Sequence, residues 1–112
     1  MTPPQPVENR AAFVQDLVLA SMADDYENFR TVLAEVTHWG SLRGLQLTRN
    51  EVRAALKSVL EAGLAQAYVL SSRPPHSTPV SFSEEKLREL YFFLTPAGKD
   101  AVKNVVELDV VE

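Results

Sequence analysis

The clearest hydrophobic pattern in the chain follows Leu47. Val52, Ala55, Leu56, Val59 and Leu60 recur at the i, i+3, i+4, i+7 spacing of a helix with one buried side. Thr48 stands where an N-cap is needed, and Glu51 three residues on completes the capping-box signature. Gly63 supplies the stop, because glycine accepts the left-handed conformation that ends many helices. The spacing therefore predicts a helix over 48–62. At about 100° per residue, Arg49, Asn50, Arg53 and Lys57 fall together on a different side from the apolar stripe. Ala65–Leu70, directly after Gly63 and Leu64, reads as a strand.

The same periodicity predicts two helices upstream. One runs over Glu8–Ala23, with Phe13, Val14, Leu17, Val18 and Ser21 inward; the other covers Tyr26–Thr37, with Phe29, Val32, Leu33 and Val36 inward. Asp24-Asp25 separates them, and either aspartate can cap the second of the two. His38–Gly44, with two glycines, reads as the turn before the third helix. Residues 1–7 hold three prolines and read as a loose arm.

Downstream, Ser71–Pro79 carries three prolines within six residues, and proline cannot donate to a strand ladder, so a loop is expected. Ser83–Leu87 fits one helical turn capped by Ser83. The aromatic run Glu89–Leu94 is the strongest strand signal. It is expected to pair antiparallel with Ala65–Leu70, giving a two-stranded hairpin over 65–94 with the proline loop at its tip. Thr95 then caps a last helix with Pro96 at its favoured first position, and Ala97, Ala101, Val102 and Val105 supply its apolar side. The tail Val105–Glu112 is apolar for a terminus. Leu108–Val111 fits either a helix extension or a short strand, and segment 102–111 offers a surface for self-association into a homodimer. The expected fold is mainly α with a small antiparallel β-hairpin: a three-helix core, a two-stranded wing and a C-terminal helix, in one domain over 8–112.

Composition narrows the function classes. A chain of 112 residues sustains one modest core. With no cysteine, disulfides, thiol catalysis and cysteine-based zinc sites are excluded. No apolar run approaches the roughly 18 residues that span a bilayer, and Met1–Pro6 has neither a basic nor an apolar leader region, so a cytoplasmic protein is expected. His38 and His76 lie in predicted turns on either side of the third helix, which gives no metal-ligand pattern. Asp24-Asp25 and Glu84-Glu85 are adjacent carboxylates that suit helix caps better than a general acid/base pair across a cleft. No glycine-rich phosphate loop, nucleophile elbow or HExxH is present. Neither an enzyme nor a cofactor is expected.

The net charge of −4 disfavours a generic polyanion binder, but it is unevenly placed. Between Gly40 and Pro75, five cations (Arg43, Arg49, Arg53, Lys57, Arg73) face two carboxylates (Glu51, Glu61), a local balance of +3 that leaves −7 for the rest. Fields of exposed charges reach about 8 Å at physiological salt, so the local balance decides what this surface attracts. A helix offering arginine, asparagine and lysine on its solvent side suits a DNA major groove. Arg49, Asn50 and Arg53, in the first turns, are candidates for base edges, since arginine reads guanine and asparagine adenine. Arg43, Thr48, Lys57 and Arg73 are candidates for phosphate contacts, which set orientation.

Glu51-Val52-Arg53-Ala54-Ala55-Leu56-Lys57-Ser58-Val59-Leu60-Glu61-Ala62-Gly63-Leu64 resembles the third helix of MarR- and PadR-type bacterial transcriptional regulators, which ends at a similar Gly-Leu before the wing. Tyr91-Phe92-Phe93-Leu94-Thr95-Pro96-Ala97-Gly98 is similar to the segment by which their second wing strand enters the last helix. The resemblance spans roughly residues 10–105. It implies a winged helix-turn-helix fold and a bacterial regulator that binds double-stranded DNA, with the helix at 48–62 as recognition helix and the 65–94 hairpin as wing. Winged helices also serve as protein-interaction modules without DNA binding, which is the alternative implication.

Overall fold

The computed structural model describes the backbone of residues 7–111 and the side chains of residues 10–103. Helix α1 (Val7–Ser21) is followed by a two-residue strand β1 (Glu27–Asn28), then α2 (Phe29–Leu42) and α3 (Arg49–Glu61). Strands β2 (Ala65–Leu70) and β3 (Ser77–Val80), a 3-10 helix (Glu84–Glu89), strand β4 (Tyr91–Leu94) and helix α4 (Pro96–Val111) complete the order. This is a winged helix-turn-helix fold, mostly helical with a small antiparallel sheet.

The core lies where α1, α2 and α3 meet one face of the sheet. Val14 and Val18 of α1, Val32 and Val36 of α2, and Val52, Leu56 and Val59 of α3 are sealed from solvent together with Phe92 of β4. These are the stripes that the i, i+3, i+4 spacing picks out. α3 starts as expected: the Thr48 hydroxyl accepts from the Glu51 amide at 3.1 Å, and a Glu51 carboxylate oxygen accepts from the Thr48 amide at 3.1 Å. It stops at Gly63, whose φ of 76° is the left-handed conformation.

α2 departs from expectation at both ends. Tyr26 and Glu27 are not helical, because Asn28 takes the cap; its Oδ1 accepts from the Thr31 amide at 2.9 Å. Glu27 and Asn28 instead pair with Phe92 and Tyr91 on β4. At the other end the helix continues through His38-Trp39-Gly40 to Leu42, where the glycines predict a turn. Gly40 is a packing glycine: a Cβ there would lie 2.7 Å from Leu47 Cδ1, so the side chain that leads into α3 occupies its place. The turn begins later, at Arg43, with Gly44 in the left-handed conformation.

The sheet is the larger correction. It has four strands in the order β1-β4-β2-β3, not two. The expected antiparallel pairing of β2 with β4 is present, Ala65 opposite Leu94 and Tyr68 opposite Tyr91. The proline segment nevertheless supplies a strand: β3 pairs with β2, Pro79 opposite Tyr68, and the missing N–H is tolerated because β3 is an edge strand. The proline loop shrinks to the tip around residues 71–76, closed by the Ser71 amide donating to the His76 carbonyl at 2.8 Å. Since β3 and β4 flank β2 on opposite sides, residues 81–90 must carry the chain across. Phe82 packs toward Phe92, and Leu87 and Leu90 are buried anchors for that crossing. The helical turn expected at Ser83–Leu87 is the 3-10 helix Glu84–Glu89, and the Ser83 side chain makes no cap bond.

Outside the core, Tyr26 clips the wing to the helices. Its ring meets Tyr68 edge-on at 5.0 Å and Phe93 at 5.0 Å, and its hydroxyl lies 3.2 Å from Ser77 Oγ. Thr95 caps α4 as expected, accepting from the Gly98 amide at 3.1 Å, and also donates to the Gly63 carbonyl at 2.6 Å, tying the end of α3 to the start of α4. α4 stays helical through Val111, so the helix extension holds at Leu108–Val111 and the strand does not. The self-association surface expected over 102–111 lies outside the described side chains from 104 onward, and of the expected arm, residues 1–6 lie outside the described residues while Val7 opens α1.

Candidate nucleic-acid interface

α3 positions four of the seven sequence candidates. With Val52, Ala55, Leu56 and Val59 buried, the opposite side of the helix carries Asn50, Ala54, Lys57 and Glu61, all exposed. Arg49, Arg53 and Lys57 advance around the helix by about 40° per four residues, so they form an oblique row rather than a straight line. Lys57 stands at the middle of the solvent side, Arg53 is half-buried beside it, and Arg49 lies at the margin of the buried stripe. The Arg49 guanidinium accordingly sits 5.6 Å from the centre of the Phe29 ring of α2. Arg53 Nη2 donates to Asn50 Oδ1 at 3.1 Å, which orients the amide and the guanidinium together.

The remaining three candidates come from other places. Thr48 is exposed, but its hydroxyl is engaged in the capping box. Arg43, in the turn after α2, carries its guanidinium 5.9 Å from the Phe13 ring of α1. Arg73 is exposed at the tip of the β2–β3 hairpin, its amide donating to Ser71 Oγ at 3.1 Å. The fold thus gathers Asn50, Arg53 and Lys57 on one helical face and puts Arg43 and Arg73 on the flanking turn and wing.

A cation outside the sequence candidates fixes α3 from behind. Arg10 of α1 donates through Nε to Glu51 Oε2 at 2.7 Å, through Nη2 to Glu51 Oε1 at 3.1 Å, and through Nη2 to the Gln46 carbonyl at 3.0 Å. One guanidinium therefore grips the helix-turn-helix turn and the α3 capping box together, and this charge-assisted contact holds the Glu51 carboxyl below its ordinary range. Only the 41-residue separation hid this pair from sequence reasoning.

Among the open clefts that border α3, two carry cations of its solvent side. One, about 550 Å³, runs between Lys57, Leu60 and Glu61 and the wing residues Pro79–Phe82. The other, about 480 Å³, lies at the start of α3 and is lined by Asn28, Phe29, Arg30, Leu33, Arg49 and Arg88. Arg30 and Arg88 are exposed cations that the linear charge pattern does not associate with α3, because they reach it from α2 and from the 3-10 helix. Among the described residues no group of three or more His, Cys, Asp or Glu is placed to hold a metal ion, and no helix is long and apolar enough to cross a membrane.

No protein-family model and no curated protein matches the chain. Among solved structures it is similar to a PadR family transcription regulator from hypervirulent Clostridium difficile R20291, determined by crystallography. The two chains are 16% identical, the match covers 85% of this chain and 84% of the other, and the TM-score is 0.54. At that identity the likeness establishes a shared fold, the PadR-type winged helix.

Proposed function

We propose that this protein is a DNA-binding transcriptional regulator that lays α3 in the major groove and its β2–β3 wing along the backbone. The observation that carries the reading is the solvent face of α3. Asn50, Arg53 and Lys57 project together from a helix whose start is fixed by a capping box and by Arg10. Asn50 and Arg53 are the base-edge readers, with Arg49 beside them at the helix margin, and Lys57, Arg43 and Arg73 contact phosphates. Thr48 serves mainly by holding the end of the helix. The similar PadR-type fold, seen in a protein described as a transcription regulator, supports the same reading. The protein acts as a homodimer through α4, the helix that leaves the wing and packs on α1.

The test is fluorescence anisotropy with a random-sequence duplex at low and moderate salt, comparing the wild type with Arg49→Ala/Arg53→Ala/Lys57→Ala. Wild-type binding is expected to weaken with salt by about 0.9 log units per log unit of salt for each phosphate neutralised, and the triple variant is expected to lose it. No binding at low salt overturns the reading and leaves a winged helix that recognises a protein partner.

A further inference from the structure

We infer that the cleft lined by Phe29, Arg30, Arg49 and Arg88 is a phosphate-binding site, occupied in the DNA complex by a backbone phosphate beside the start of α3. Three arginines line it from three separate elements: Arg30 from the first turn of α2, Arg49 from the first residue of α3, and Arg88 from the 3-10 helix. No carboxylate lines the cleft. Three like charges around one concavity repel one another, and a bound anion converts that repulsion into attraction. Guanidinium is the cation suited to it, since its planar fork donates two parallel hydrogen bonds to a phosphate. The floor is apolar: Phe29 is 5% exposed and Leu33 half-buried, and the Arg49 guanidinium is propped over the Phe29 ring. The side-chain carbonyl oxygen of Asn28, the other polar side-chain atom able to accept there, already takes the Thr31 amide, so the cleft is dominated by donors.

Arg88 is the member of the site that the wing connection supplies. It reaches the cleft because the chain doubles back across β2 between β3 and β4, with Leu87 and Leu90 buried on either side of it. The wing connection thus places a cation next to the recognition helix, away from the hairpin tip that holds Arg73. A backbone phosphate gripped there would fix the α2–α3 end of the interface while Arg73 fixes the wing end.

The DNA source of the phosphate rests on the function proposed above; the phosphate chemistry does not, and two measurements separate them. The first repeats the anisotropy salt series with Arg30→Ala/Arg88→Ala and with Lys86→Ala/Lys99→Ala, an equal removal of exposed charge outside the cleft and outside segment 102–111. The cleft variant is expected to bind about tenfold more weakly at moderate salt and to lower the salt slope by about 1, while the Lys86/Lys99 variant keeps the wild-type slope. The second titrates pyrophosphate into wild type and cleft variant, followed by amide chemical shifts around Phe29, Arg30 and Arg88. If the wild type binds pyrophosphate there and the variant does not, the site is upheld even where DNA binding fails, with a free phosphate compound as its source. If DNA binds equally well to both proteins and pyrophosphate shifts neither, the proposal is overturned while the DNA reading stands. If the wild type binds neither DNA nor pyrophosphate, both fall.

Discussion

Two carboxylates in this protein respond to folding in opposite directions. Glu51 is held below its ordinary value of 4.5, first by the Arg10 hydrogen bonds, whereas Glu27 is raised, first by burial and then by Glu35, Asp25 and Asp24. For Glu51 the folded pKa lies below the unfolded one, so its stabilisation is present above the ordinary glutamate range and is lost as pH falls through the folded value. For Glu27 the sign reverses: its contribution is most favourable below the ordinary range and declines as pH rises through the raised value. Thermal melts at pH 7 should therefore show Glu51→Gln less stable and Glu27→Gln more stable than wild type, with both differences shrinking toward zero in strong acid. A Glu51→Gln protein as stable as wild type at pH 7 would remove the Arg10 grip from the account. Thr48→Ala is expected to cost about 1 kcal/mol, the usual value of an N-cap, read by denaturant titration. Phe92→Ala should cost about 3–5 kcal/mol, since Phe92 is fully buried between sheet and helices.

At the scale of elements, the junction of α3, β2, β4 and α4 is tied by hydrogen bonds through Thr95. Thr95 joins two helix ends through Gly63 and Gly98, and its amide donates to the Leu64 carbonyl at 3.1 Å. Gly98 is required there because a Cβ would collide with that same Leu64 carbonyl, which is backbone and cannot swing aside. Gly98→Ala is expected to destabilise by about 3 kcal/mol, the upper part of the range for overpacking, and to loosen α4 from the wing; amide exchange at Leu64 and Thr95 would report it. An alanine variant with unchanged stability and exchange would show that α4 shifts without strain. The elements also explain which helices are legible from local pattern. α3 announces itself because cap, stripe and glycine stop all agree, and α1 and α4 follow from periodicity. The bounds of α2 are misread because its local signals mislead: Asp24 and Asp25 resemble caps, but Asn28 is the cap, and Gly40 resembles a stop, but it is a contact for Leu47.

Over the whole molecule, charge is divided between a basic region around α3 and an acidic remainder. The +3 balance of residues 40–75 sits on α3, the preceding turn and the wing tip, while the rest of the chain carries −7. If the protein binds DNA as proposed, such a division orients it on the polyanion, and association rates with DNA should fall steeply with ionic strength. The proposed dimerisation belongs to this scale too. Sedimentation equilibrium is expected to give twice the chain mass for the 112-residue chain and the chain mass for a form ending at Asn104. A monomeric 112-residue chain would overturn the proposed dimer and restrict the proposed DNA contact to a single half-site.

Features that depend on near neighbours along the chain are written in the sequence: the α3 cap and stop, the buried stripes of the three helices, the pairing of two alternating strands, and a row of cations on one helix. They arise from the 3.6-residue and two-residue periods and from the conformational habits of threonine, proline and glycine. Asn50, Arg53 and Lys57 are legible for that reason, since one helix carries all three. Other features are set by the packed chain. Whether Pro79 lies in a loop or a strand depends on which edge of β2 remains open, and an edge admits it. Tyr26 leaves a helical context because aromatic partners wait on β2 and β4. Arg10 meets Glu51, and Arg30 and Arg88 line one cleft with Arg49, across separations that no local period encodes. Those meetings are set by how the apolar stripes pack, and packing is a property of the whole chain at once.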